Sequence, residues 1–165
     1  MILQAALLLF PAAMAYAAAS DLLTMTISNK LSLALLAGFL VLAPAVGLGW
    51  STIGVHVGLA VLTLFVTFAL FAFNLIGGGD AKLTAAIVLW MGPQDALAFA
   101  LAASIFGGVL TMLFLGFRRV PLPAAAAGTP WIARLHSAGN GVPYGIALAA
   151  GALVVYPKTI WFAAM

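Results

Sequence analysis

The chain has 165 residues, 66% hydrophobic and 5% charged, with a mean hydropathy of +1.26, against roughly a quarter charged in a soluble domain. A soluble globular domain is excluded, and at about 20 apolar residues per span there is no room for a separate water-soluble catalytic domain. The absence of cysteine removes disulfides, Cys-ligated zinc and thiol catalysis, and a net charge of +3 carried by so few groups sets topology rather than marking a nucleic-acid footprint.

The first apolar run covers about residues 2–19 and is closed by Ser20, Asp21, Thr24, Thr26, Ser28, Asn29 and Lys30. The second, about 31–50, breaks around Gly47, Gly49 and Trp50; the third, about 53–76, stops at Gly77-Gly78-Gly79-Asp80. A short segment, 80–91, ends at Gly92-Pro93 and measures about 18 Å at 1.5 Å per residue. A fifth run, about 96–117, ends in Arg118-Arg119 and is followed by one long loop, 118–140; the Ala124–Ala127 stretch in it is only loop composition. The last run is about 142–164. Asp95 reads as the N-cap of the fifth span, and Gly54-xxx-Gly58 and Gly141-xxx-Gly145 read as helix-packing patterns.

Segment 80–91 is either a thin span or a re-entrant hairpin, and charge separates the two. With six spans and the N-terminus outside, Lys30, Lys82, Arg118, Arg119 and Arg134 share the cytoplasmic side and Lys158 is alone opposite, as the positive-inside rule requires. A hairpin would set the arginine loop against Lys30. The expected fold is therefore all-α: one polytopic domain of six transmembrane helices, N-out and C-out, with a short fourth helix after a glycine loop. The small residues Ala17-Ala18-Ala19-Ser20 look like a signal-peptide cleavage site, but no basic residue precedes the run and Lys30 follows it, the charge order of a retained first helix.

Ionisable groups at the edge of a span are costly and begin as functional candidates. Asp21 and Asp80 fall on the same side. Two carboxylates within a few ångströms repel when both are ionised, so such a pair holds one proton, giving one base and one acid. That is the aspartic-protease arrangement: the ionised member takes a proton from a water that attacks a carbonyl polarised by the other. The plainer reading makes both residues helix caps. Gly77, Gly78 and Gly79 offer a place where a substrate strand can approach backbone to backbone beside Asp80, or a simple turn. Asn74 is a candidate neighbour of the site; Lys82 either adds positive potential there or anchors the cytoplasmic interface. His56 reads as interhelical and His136 as solvated. There is no HExxH and no Glu, so a metalloprotease of that type is excluded and no metal or organic cofactor is expected. A serine protease has only Ser51 and His56, both near one interface.

Gly77-Gly78-Gly79-Asp80-Ala81-Lys82-Leu83 resembles the GxGD signature of type IV prepilin peptidases, with Asp21 and Asn29 at the place of that family's first aspartate and its Ile-Pro-Asn segment. Val142-Pro143-Tyr144-Gly145-Ile146-Ala147 resembles its terminal-helix pattern, and the length resembles the small peptidase-only form associated with Flp (Tad) pili. The resemblance implies an aspartic endopeptidase of the bacterial inner membrane that removes prepilin leaders on the cytoplasmic side, with Asp21 and Asp80 as the dyad. Its partners would be a prepilin substrate and membrane lipids, not nucleic acid. Ser28 stands where the family usually has proline, and the common basic residue after Asp21 is missing. Without cysteines or room for a further domain, the methyltransferase activity of larger members is not expected. The competing reading is a small transporter or pilus-assembly subunit in which Asp21 and Asp80 bind a proton or cation.

Overall fold

The computed structural model describes residues 2–123, 126, 128–137 and 139–163. Ala124, Ala125, Ala127 and Ala138 of the expected loop, and Ala164 of the expected last span, lie outside the described residues. The helices are α1 (Ile2–Thr24), α2 (Asn29–Ala45), α3 (Trp50–Ala72), α4 (Gly78–Arg119), α5 (Pro130–His136), α6 (Gly145–Val155) and α7 (Ile160–Ala163), with a 3-10 turn at Tyr156–Lys158 between the last two. No strand occurs among the described residues. α1 from Leu7, α3 and α4 are long and apolar enough to cross a membrane; α2 and Gly145–Lys158 are apolar but shorter.

Local chemistry sets the helix ends. Ser28, in extended conformation, caps α2 by accepting the Lys30 amide at 3.2 Å. At the end of α3, Asn74 adopts φ 57°, and the Asn74 and Leu75 amides return to the Phe71 and Leu70 carbonyls at 2.8 and 3.0 Å, a Schellman motif that satisfies the last carbonyls. α4 begins at Gly78, two residues earlier than expected, and is broken at Gly92, which has φ 73°, a conformation that costs glycine little. Asp95 thus sits inside the first turn after the break and is not an N-cap: Gly92 and Pro93 make the boundary.

The break leaves carbonyls without helical partners, and side chains from other elements satisfy them. Pro93 has no amide hydrogen for the Leu89 carbonyl four residues back, and His56 Nδ1 supplies the donor at 2.8 Å. The Trp161 indole donates to the Trp90 carbonyl at 2.9 Å, and the Trp90 indole donates to Leu35 at 3.0 Å. His56, only 1% exposed, stacks on Phe39 with ring centroids 5.5 Å apart. Around it Phe10 lies 4.4 Å from Tyr156, and Trp90 lies 4.7 Å from Trp161. This aromatic cluster is the core of the bundle.

The two arms of α4 differ in environment. Residues 83 and 85–92 of the first arm are buried, so this short helix runs inside protein rather than lipid. On the second arm Leu97, Leu101, Ile105 and Met112 face outward, while Phe99, Ala103 and Gly107 are buried. α6 packs there at close range: a Cβ on Gly151 would lie 2.7 Å from the Ala103 amide nitrogen, and one on Gly107 would strike the Tyr144 ring. The close helix packing therefore uses Gly107 and Gly151. Gly54, Gly58 and Gly141, three of the four glycines in the expected packing patterns, have open space where a side chain would stand.

Candidate active site

Asp21 lies in the last turn of α1, where Met25 at φ 55° ends the helix and returns its amide to the Asp21 carbonyl at 2.8 Å. Its side chain is buried, and Oδ2 accepts the Gly145 amide at 2.7 Å. The carboxylate thus meets the N-terminal end of α6, whose exposed amides and dipole favour a negative group. Only a glycine fits this approach: a Cβ at Gly145 would stand 2.8 Å from both Asp21 Oδ2 and Ile27 Cδ1.

Asp80 is the third residue of α4, and its carboxylate accepts the Gly77 amide at the N-cap, one half of a capping box. It also interacts electrostatically with the Asp21 carboxylate. The capping reading is thus correct as far as it goes, but a cap does not account for the approach of Asp21, which comes from a helix 59 residues earlier in the sequence. Each acid accepts a backbone amide at the start of a different helix, and the two carboxylates are near enough to interact electrostatically.

The three glycines have separate neighbours. A Cβ on Gly77 would meet Asp80 Oδ2 at 2.8 Å, one on Gly78 the Phe71 ring at 3.2 Å, and one on Gly79 the Ile27 Cβ at 3.1 Å. The chain's own Ile27 therefore occupies the space beside Gly79 that the sequence suggested for a substrate strand. Ile27 touches the positions of both Gly79 and Gly145, and so ties the loop after α1 to the two helices that carry the carboxylate donors.

Lys82 Nζ donates to Asn29 Oδ1 at 2.8 Å, so these two candidates form one polar pair between α2 and α4. Asn74 does not join the site; it is exposed and ends α3 as described above. His56 belongs to the aromatic core, and Ser51 is exposed on the first turn of the same helix, which removes that pair as a serine-protease site. Among the described residues, no three His, Asp or Glu side chains cluster as a metal-ligand set.

The expected long loop contains α5 and folds back on the site. Arg118 donates to the Leu135, Asn140 and Gly141 carbonyls at 2.9, 2.9 and 2.7 Å. Asn140 donates to the Arg134 carbonyl at 2.9 Å, and Arg134 reaches Leu23 at the end of α1 at 3.1 Å. His136 is not simply solvated: Nε2 bonds the Val120 carbonyl at 2.8 Å and the ring packs edge-on against Phe117. The network holds the strand of chain that leads into Gly145 against the end of α1 that bears Asp21. Sequence reasoning missed Ile27, Arg118, Arg134 and the role of Gly145; the only signal was that Gly145 falls in the terminal-helix pattern.

A family model described as the type IV leader peptidase family matches residues 8–112. The chain belongs to the type IV leader peptidase family. No curated protein and no solved structure matches it. The matched stretch contains Asp21, Asn29, Gly77–Gly79, Asp80 and Lys82, while Arg118, Arg134 and Gly145 lie beyond it. Family membership makes the chain a peptidase, and with its long apolar helices a membrane protein.

Proposed function

We propose that this family member is an aspartic endopeptidase in which Asp21 and Asp80 share one proton and one water. The observation that supports the reading is that Asp21 and Asp80 each accept the amide of a different helix start and interact electrostatically with one another. The ionised aspartate takes a proton from the water, the resulting hydroxide attacks the scissile carbonyl, and the protonated aspartate donates a hydrogen bond to that oxygen. Collapse of the tetrahedral intermediate expels the amine, which takes its proton from the acid of the pair.

The substrate of this proposal is a Flp-type prepilin, cut at its leader on the cytoplasmic face of the bacterial inner membrane. The topology is six spans in one domain, N-out and C-out, counting each arm of α4 as a crossing; the broken helix and the basic residues Lys30, Lys82, Arg118 and Arg134 at the carboxylate end support it. No cofactor and no methyl transfer enter the reaction. The test is co-expression of a Flp-type prepilin with the wild type or with Asp80→Asn, read as the leader-sized mass loss. Cleavage by the wild type alone is expected; equal cleavage by both overturns the dyad.

A further inference from the structure

The glycine loop beside Asp80 has no open face. The space over Gly77 is taken by Asp80 itself, that over Gly78 by the Phe71 ring and that over Gly79 by Ile27. Phe71 and Asp80 belong to helices, whereas Ile27 stands on the short non-helical segment 25–28 that joins α1 to α2. A Cβ on Gly79 would lie 3.1 Å from the Ile27 Cβ and 3.5 and 3.6 Å from its backbone nitrogen and oxygen. The Ile27 backbone thus fills the lane that a strand pairing at roughly 4.8 Å would take. Its side chain also reaches toward the second acid: one methyl-sized position at Gly145 is 2.8 Å from Ile27 Cδ1 and 2.8 Å from Asp21 Oδ2. Asp21 is only 6% exposed, so a scissile peptide reaches it only after something moves.

We propose that Thr26-Ile27-Ser28 is a built-in plug: the resting protein closes its own site with Ile27, and the segment swings aside when a substrate strand takes the place beside Gly79. The plug rests on the peptidase reading and adds how that site is kept shut before substrate arrives. The way the segment is held favours a movable part over a fixed wall. Among the described residues its hydrogen bonds run only to its own neighbours in the chain. Ser20 Oγ donates to the Thr26 carbonyl at 2.9 Å, the Thr24 and Thr26 hydroxyls pair at 2.7 Å, and Ser28 accepts the Lys30 amide on its hydroxyl and the Leu31 amide on its carbonyl. Ile27 is therefore held against Gly79 and Gly145 by apolar contact alone, which a substrate strand can replace. The segment also has a pivot at each end. Met25 holds φ 55°, a left-handed conformation that residues with a side chain avoid unless their surroundings impose it, and Ser28 is the N-cap of α2. Both ends stay tied to their helices while the residues between them turn, as hinges of a few element-terminal residues do.

The test compares wild type, Ile27→Val and Ile27→Ala by initial rates of cleavage across a range of Flp-type prepilin concentrations. Substrate binds only the open fraction, so a smaller plug raises that fraction and lowers the apparent KM. KM is expected to fall at least about threefold for Ile27→Ala and less for Ile27→Val, with kcat/KM rising accordingly. A side chain that only fills space or fixes the acids would do the opposite when truncated, so a fall in kcat/KM for both variants overturns the plug. A second measurement stands if Ile27→Ala does not fold. The chain has no cysteine, so Ile27→Cys in an Asp80→Asn background reports the segment alone through its reaction with a water-soluble maleimide, with and without co-purified prepilin. Labelling at least about threefold faster with prepilin bound is expected, because the plug has left the site; slower or unchanged labelling makes Ile27 a fixed wall and overturns the proposal. Wild-type cleavage separates the two claims: no cleavage of any Flp-type prepilin defeats the peptidase reading and the plug with it, while normal wild-type cleavage beside either contrary result defeats the plug alone.

Discussion

The two ends of the first arm of α4 are built on opposite principles. At Trp90, about 15 Å from Asp80 along the helix, six aromatic rings cluster and the Leu89 and Trp90 carbonyls beside the Gly92–Pro93 break are taken by side chains from elsewhere. At Asp80 glycines precede the acid, the residue is only part-buried, and it interacts electrostatically with a second carboxylate. One end uses side-chain donors to satisfy freed carbonyls; the other brings two carboxylates within electrostatic reach, an arrangement that costs stability when both are ionised. The aromatic base joins α1 to α4, and the hydrogen bonds around Arg118 and Arg134 tie the segment before Gly145 to the end of α1.

If this division is real, substitutions at the two ends separate activity from stability. Asp21→Asn and Asp80→Asn are each expected to lower turnover by at least about a thousandfold, the scale seen when a catalytic unit loses a member, with little change in thermal unfolding in detergent. Trp161→Ala should do the opposite: it empties a fully buried site and removes the donor to the Trp90 carbonyl, a loss of about 3–5 kcal/mol, read as a lower melting temperature, with the remaining folded protein still cleaving.

Gly145→Ala sharpens the contrast because it strikes the acid end sterically. The added methyl would stand 2.8 Å from Asp21 Oδ2, and cleavage is expected to fall ten- to a hundredfold, the size of effect that small misplacement has on oriented groups. The smallest effect is expected from Arg118→Ala, which frees three carbonyls at the far side of the loop; a several-fold drop in kcat with KM unchanged would mark it as positioning the Gly145 amide. A change confined to melting temperature would make it only structural.

Much of the helical layout was legible because its signals are local. The Gly77–Gly79 run, the Gly92–Pro93 step and the polar cluster after Asp21 each interrupt an apolar pattern, and a helix end lies close to each. What stayed hidden depends on residues distant in sequence. The Gly145 amide reaches Asp21 across 124 positions, and His56 answers a carbonyl freed by a proline 37 residues later; neither leaves a periodic trace. Gly54-xxx-Gly58 has the right spacing but nothing packed against it, whereas Gly107 and Gly151, on different helices, make the tight contact. Spacing within one helix says that a close approach is possible, not which partner comes. Asn74, a polar residue beside the glycine loop, is placed by the structure in the αL turn that ends α3.

The most direct test of the central claim is the double-mutant comparison of Asp21→Asn, Asp80→Asn and the two combined, with cleavage of one prepilin measured by mass at matched amounts of folded protein. A pair that shares one proton and one water acts as a unit, so either single variant should lose nearly as much activity as the double. Losses that multiply, or wild-type cleavage by either single variant, would contradict the shared site.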